Sequence, residues 1–274
     1  MAAGLSKSKH AISAAVSFLR RSVYTAGVSE TLVVNEIYLS LQGESTFAGL
    51  PCVFVRLTAC DLRCSYCDTA YAFTKGKKMS LEEICAEVRR LAKPFLNSKS
   101  EIRNSKLPLV ELTGGEPLFQ KNSLPLMKQL CDDGFTVLLE TSGAHDISQV
   151  DARVRRIMDL KCPSSGEVAR NCWANLKHLK VTDEIKFVTG TVEDYEWVKQ
   201  KKSEHKLDTI CPLLISWVQP LAPAQQDKSL KKVPLGQTPI SRQQLAEKII
   251  ADALPVRFQI QMHKIIWPPE QRGV

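Results

Sequence analysis

At 274 residues the chain is long enough for one large α/β domain, and it has no run of about 18 apolar residues that could span a membrane. Its nine cysteines are an odd number without regular spacing, which excludes a secreted disulfide scaffold and points to a reducing, cytoplasmic setting. The net charge of +8 does not signal a nucleic-acid partner, because the basic residues sit in helical stretches with acidic neighbours and lack interleaved aromatics; a solvated basic surface accounts for it.

Residues 1–31 read as a flexible basic extension. Lys7, Lys9, Arg20 and Arg21 stand there with no acidic residue before Glu30, a composition shared by organellar transit peptides and disordered arms. The core domain is expected over 32–274. Val33 to Leu41 alternates and is rich in β-branched and aromatic residues, so it predicts a first strand ending at Leu41-Gln42-Gly43-Glu44, and Cys52 to Leu57 predicts a second. Ser80 with Glu83 forms a capping box ahead of Leu81, Ile84, Cys85, Val88 and Leu91 at helical spacing, which makes Cys85 a core residue. A strand over Leu107–Leu112 then delivers Thr113-Gly114-Gly115-Glu116-Pro117. A helix around Leu124–Cys131 stops near Gly134, and a strand over Phe135–Glu140 ends in Thr141-Ser142-Gly143. Further strands are expected at Arg156–Leu160, Glu184–Val188, Leu213–Val218 and Val256–Gln261, with helices starting near Asn171, Thr191 and Ser241. Alternating strands and helices imply a parallel sheet with right-handed crossovers, a closed or partial (β/α) barrel. The Pro- and Gln-containing stretch 222–238 reads as a long functional loop.

Cys60, Cys64 and Cys67 are spaced C-x3-C-x2-C on the loop that follows the second strand. A strand's C-terminal end is where α/β barrels build their sites. Three thiolates can hold three irons of a cubane and leave the fourth open to a ligand, whereas electron-transfer clusters are usually closed by four cysteines. A structural zinc site or three unrelated buried thiols are the alternatives, but no second C-x2-C or Cys-His pair accompanies the triad. The other six cysteines offer no second site by spacing.

The triad, with Tyr66 just before the last cysteine, resembles the radical S-adenosylmethionine superfamily. The resemblance implies a [4Fe–4S] cluster on Cys60, Cys64 and Cys67 that binds S-adenosylmethionine at its open iron and cleaves it to methionine and a 5′-deoxyadenosyl radical. The fold it implies is a partial (β/α) barrel. A glycine pair after a strand lets backbone approach a ligand closely, and Gly114-Gly115-Glu116 matches the superfamily's second motif, which places Gly115 at the cofactor and Thr113 near the substrate.

From about residue 32 to the C-terminus the chain resembles the 7-carboxy-7-deazaguanine synthase branch. The resemblance rests on Asn35-Glu36-Ile37, Leu41 to Glu44, Phe54 to Leu57, Cys64 to Thr69, Thr113 to Pro117, Glu140 to Gly143 and Gln261 to Lys264. It implies ring contraction of 6-carboxy-5,6,7,8-tetrahydropterin to 7-carboxy-7-deazaguanine with loss of ammonia, in a homodimer reduced by a flavodoxin-like or ferredoxin-like donor, to which a basic surface is suited. By the same resemblance Leu41, Gln42 and Gly43 read the pterin edge, the planar fork of Arg56 takes its carboxylate, and Thr69 is an oxygen ligand of Mg²⁺. Tyr66, Cys67 and Asp68 lie beside the adenosyl group, and Asp159-Leu160-Lys161 and Gln219-Pro220-Leu221-Ala222 contact the nucleoside. The chain departs from the branch at Ala59 and Ser45, where glycine is common. Two competing readings share the triad: an activating enzyme that makes a glycyl radical on a partner protein, and a non-catalytic iron–sulfur or zinc module.

Overall fold

The computed structural model describes residues 30–96, 101–102, 105–268 and 271–274. All but the last two residues of the predicted basic extension lie outside them. Nine strands make one sheet: β1 (Thr31–Leu41), β2 (Pro51–Leu57), β3 (Lys77–Ser80), β4 (Leu109–Gly114), β5 (Val137–Thr141), β6 (Arg155–Asp159), β7 (Glu184–Thr189), β8 (Leu213–Trp217) and β9 (Arg257–Gln259). Their order is β9-β8-β7-β6-β5-β4-β2-β1-β3, and the two end strands do not pair, so the barrel is open. From β2 to β9 every neighbour is parallel; β1 pairs antiparallel with β2 and β3.

Four helices cover the convex face: α1 (Leu81–Leu96), α2 (Ser123–Asp132), α3 (Val192–His205) and α4 (Arg242–Ala251). Three start in capping boxes that satisfy their first N–H groups, Ser80 with Glu83, Thr191 with Asp194 and Ser241 with Gln244. Cys85 is buried with Ile84 and Val88 beneath the sheet, as its spacing predicts. The helix expected near Asn171 does not form. Two 3₁₀ turns, Val168–Arg170 and Trp173–His178, replace it. The Asn171 amide bonds the Lys161 backbone on both sides, and the Asn175 amide donates to the Gly143 and His145 carbonyls, the local competition that turns asparagine away from helix. The unforeseen β3, Lys-Lys-Met-Ser, is a polar edge strand whose exposed lysines discourage further pairing.

Strand periodicity then divides the sheet into two environments. Val53, Val55, Leu57, Val110, Leu112, Leu139, Met158, Ile185 and Phe187 belong to the main core. The alternate positions face the concave side, where Cys52, Leu109, Leu138 and Ile157 form a smaller apolar base. Toward the strands' C-terminal ends that same side becomes charged, with Arg56, Glu111, Glu140, Asp159 and Lys186 lining a cavity of about 230 Å³.

Candidate active site

The loop after β2 carries the three cysteines and is clamped onto the Gly-Gly turn after β4. Glu116 N–H donates to the Ala59 carbonyl at 2.9 Å, and a Cβ at Gly115 would stand 2.0 Å from that oxygen and 2.9 Å from the Cys60 Cβ. Only glycine permits this approach. Ala59 itself has φ 76° and Ser45 has φ 64°, so the two departures from the branch's glycines both fall in left-handed backbone. Fully buried, the Glu116 carboxylate accepts from Leu118 N–H, Thr141 Oγ1, and both the N–H and Oγ of Ser142, which ties the end of β4 to the end of β5.

Cys60, Cys64 and Cys67 are free thiols and all line the cavity. Burial raises their pKa values, to about 11 at Cys60, about 12 at Cys64 and upward at Cys67, so binding iron as thiolates would release protons. Among the described residues no three His, Cys, Asp or Glu side chains converge on a single ion. A tetrahedral zinc requires sulfurs roughly 3.8 Å apart, from its 2.3 Å bonds, whereas a cubane takes each thiolate at a different corner. Three thiols that face one cavity without converging therefore fit a cluster. Two buried polar atoms on the same cavity lack protein partners among the described residues, the Tyr66 hydroxyl and Asp159 Oδ1, and both are available to a cofactor. The remaining cysteines, Cys52, Cys85, Cys131, Cys162, Cys172 and Cys211, do not line it.

Opposite the thiols, Lys186 is the centre of a buried charge cluster. Its ammonium lies 3.0 Å from Glu44 and 3.9 Å from Asp159 and contacts Glu140. One cation cannot hold every carboxylate ionised. Burial alone would raise Glu44, but Lys186 and His263 outweigh it and bring the pKa to about 2. For Glu140, burial with the charges of Glu44 and Asp159 outweighs the Lys186 contact and the pKa rises to about 7. Glu111 makes no ion pair with a cation among the described residues, and burial, with the charge of Glu140, raises its pKa well above the ordinary carboxylate value. The network extends through Gln261, which donates to Glu44 at 2.8 Å, and Lys264, which bonds Gln261 and pairs with Asp68 at 2.6 Å. The C-terminal segment thus closes on the turn after β1, where Met262 N–H donates to the Gly43 carbonyl and a Cβ at Gly43 would strike His263.

Of the residues singled out by sequence, Leu41, Gln42, Gly43, Arg56, Tyr66, Asp68, Thr69, Thr113, Gly115, Asp159, Lys161 and Gln219 line this cavity with the three thiols. Leu160 does not; its side chain is fully buried in the main core, and Pro220, Leu221 and Ala222 also lie off the cavity wall. The Gln42 side chain is engaged within the protein, donating to Glu111 and accepting from Glu44 N–H. Arg56 Nε pairs with Glu36 at 2.7 Å and one Nη donates to Tyr38 at 2.7 Å, leaving Nη1 without a protein partner among the described residues. Thr69 precedes a 3₁₀ turn but makes no side-chain cap, so turn capping does not occupy its hydroxyl, which lies 3.7 Å from Cys67 Sγ. Sequence reasoning missed Glu111 and Lys186 and left Glu44, Glu140 and His263 without roles. The available signal was an isolated charge inside an apolar strand, as in Leu-Val-Glu-Leu and Ile-Lys-Phe-Val.

Residues 55–164 match the Radical SAM superfamily. A 7-carboxy-7-deazaguanine synthase of Koribacter versatilis (strain Ellin345) is 42% identical over 242 residues, covering 88% of this chain and 99% of that protein. The chain belongs to the 7-carboxy-7-deazaguanine synthase family. A synthase of that name from Chlorobaculum tepidum is 39% identical over 89% of this chain and 97% of that protein, and the crystal structure of QueE from Escherichia coli shares the fold, with a TM-score of 0.61 at 22% identity, covering 85% of this chain and 95% of that one. This synthase is accordingly a radical S-adenosylmethionine lyase, which sets aside the glycyl-radical activating and non-catalytic readings. Among the described residues no helix is long and apolar enough to cross a membrane.

Proposed function

We propose that the chain contracts 6-carboxy-5,6,7,8-tetrahydropterin to 7-carboxy-7-deazaguanine with release of ammonia, using the cavity at the C-terminal ends of β2 and β4 to β7. The observation that carries this reading is the meeting in one cavity of three non-converging thiols, the Gly-Gly turn and a polar wall that can receive a small charged heterocycle. Cys60, Cys64 and Cys67 would hold a [4Fe–4S] cluster, with Tyr66, Asp68, Gly115, Asp159, Lys161 and Gln219 around S-adenosylmethionine. Bound there, the pair supplies a 5′-deoxyadenosyl radical for hydrogen abstraction.

The chain's own residues orient the substrate. Arg56 offers Nη1 to its carboxylate, held in place by Glu36 and Tyr38. Because the Gln42 side chain and backbone are engaged with Glu111, Glu44, Leu50 and Gly49, we assign recognition of the pterin edge to Gly43 N–H, which has no partner among the described residues, and to the backbone at Leu41. Thr113 lies beside the Gly-Gly turn at the substrate end. Burial raises the pKa of Glu111 whereas Lys186 and His263 bring that of Glu44 down, so two carboxyls on the cavity are pushed in opposite directions. Mg²⁺ would take the Thr69 hydroxyl together with the substrate carboxylate and waters. The exposed Ile260, Ile265 and Ile266 support a homodimer, and nine free thiols support a reducing compartment, the cytoplasm. Anaerobic incubation with dithionite, S-adenosylmethionine and the carboxylated pterin tests the reading. Mass spectrometry should detect the deazaguanine; formation of 5′-deoxyadenosine without it would reject the substrate assignment.

A further inference from the structure

The loop 222–238, singled out by its composition, has no part in the proposed chemistry, yet it packs on the outer side of the cysteine loop. Lys231 N–H donates to the carbonyl of Arg63, which stands between Cys60 and Cys64, at 2.9 Å, and its ammonium lies 2.9 Å from Glu167 and 2.8 Å from the Gly166 carbonyl. Glu167, buried, accepts from Arg63 N–H at 2.7 Å, so one carboxylate joins the lysine loop to the cysteine loop. The Arg63 guanidinium lies over Phe73 at 4.2 Å and donates to the Cys60 and Leu62 carbonyls.

The charges on this face do not cancel. Asp61 pairs with Arg170 and His145, Glu167 with Lys231, and Asp227 accepts from Ser229 of its own turn. Arg63 lies near enough to Asp227 to help lower its pKa, whereas Lys228 and Lys232, both exposed, keep no carboxylate partner among the described residues. Beside them Val233 is half-exposed and Leu235 fully exposed, an apolar point within a basic rim. Weak electron-transfer complexes use small interfaces of this kind, and complementary charge raises their encounter rate.

We propose that this loop and the outer face of the cysteine loop dock an acidic one-electron carrier protein, of the ferredoxin or flavodoxin class. The inference rests on the radical S-adenosylmethionine reading. One electron leaves the carrier, oxidised by one, and enters the cluster, reduced by one; no bond changes at docking.

The test uses the cluster-loaded enzyme and a photoreduced plant-type [2Fe–2S] ferredoxin, with cluster reduction followed by anaerobic stopped flow. The double variant Lys228→Glu, Lys232→Glu should slow reduction roughly tenfold at low salt, and the gap should close as salt rises. Lys93→Glu on α1 with Lys248→Glu on α4, on the helical face away from the cysteine loop, makes the same change in net charge and should leave the rate near wild type. Dithionite should reduce all three proteins equally. Equal slowing in both double variants, or none in either, overturns the docking surface. Failure of dithionite to reduce the wild-type cluster would instead reject the radical reading.

Discussion

Replacing Lys186 by methionine keeps most of its volume and removes the one cation that Glu44, Glu140 and Asp159 share. Glu44 carries most of the effect. Its pKa of about 2, against an ordinary 4.5, means that its contribution to stability is present above 4.5 and is lost as pH falls toward 2. Glu140 has the opposite sign: with a pKa raised to about 7, it loses stability as pH rises from 4.5 through 7, with or without Lys186. Without the lysine, Glu44 must take up a proton to remain buried. For a carboxyl of ordinary pKa 4.5, at about 1.4 kcal/mol per pH unit, that protonation costs about 3.4 kcal/mol at pH 7 and about 0.8 kcal/mol at pH 5. The destabilisation expected at pH 7 is about 3 to 5 kcal/mol, the usual range for stranding a buried charge, and it should shrink by about 2.5 kcal/mol at pH 5. Urea unfolding followed by tryptophan fluorescence at both pH values measures it. Adding Glu44→Gln to Lys186→Met should restore stability at pH 7. A loss of equal size at pH 5 and pH 7 would refute the reasoning and leave packing as the role of Lys186.

Arg56→Ala should weaken pterin binding by roughly 2 to 4 kcal/mol, from loss of a charge-assisted pair, and leave S-adenosylmethionine affinity near wild type; isothermal titration of both ligands checks it, and equal weakening would reassign Arg56 to the fold. Thr69→Val should abolish the stimulation of turnover by added Mg²⁺ with the iron–sulfur spectrum unchanged, whereas undiminished stimulation would exclude the hydroxyl as a ligand. Gly115→Ala places a Cβ 2.0 Å from the Ala59 carbonyl oxygen and should cost about 1 to 3 kcal/mol by overpacking, read as lower iron content per chain after reconstitution. Ala59→Gly and Ser45→Gly relieve left-handed backbone at φ 76° and 64° and should each raise stability by up to about 1 kcal/mol, measurable as a higher urea midpoint.

The fold was legible because parallel strands buried on both faces announce themselves as apolar runs, and because Ser80, Thr191 and Ser241 begin helices with caps that depend on neighbours three residues away. Local chemistry also exposed the cysteine loop and the Gly-Gly turn. What stayed hidden depends on partners distant in sequence. Gln42 looks free to read a ligand until Glu111, 69 residues on, takes its amide. Leu160 follows Asp159 at the cavity but points to the opposite side of the sheet. Lys186 reads as a surface lysine until Glu44 and Glu140 fold around it. Thr69 and Ala59 were ambiguous for another reason: a cap and a φ angle are backbone facts that side-chain identity only suggests.

The closure of residues 261–264 on residues 42–44 also sets an order of assembly. The bond from Gln261 to Glu44 joins positions 217 apart in sequence, among the costliest contacts to form early. β2 and β4 to β7 can associate without it, so a nascent chain can complete most of its sheet while one wall of the cavity is still missing. Cluster loading before that last segment docks would meet a vessel open on one side, and loading after it a nearly finished one. The timing of iron delivery relative to the docking of residues 261–264 therefore becomes a variable of maturation for this chain.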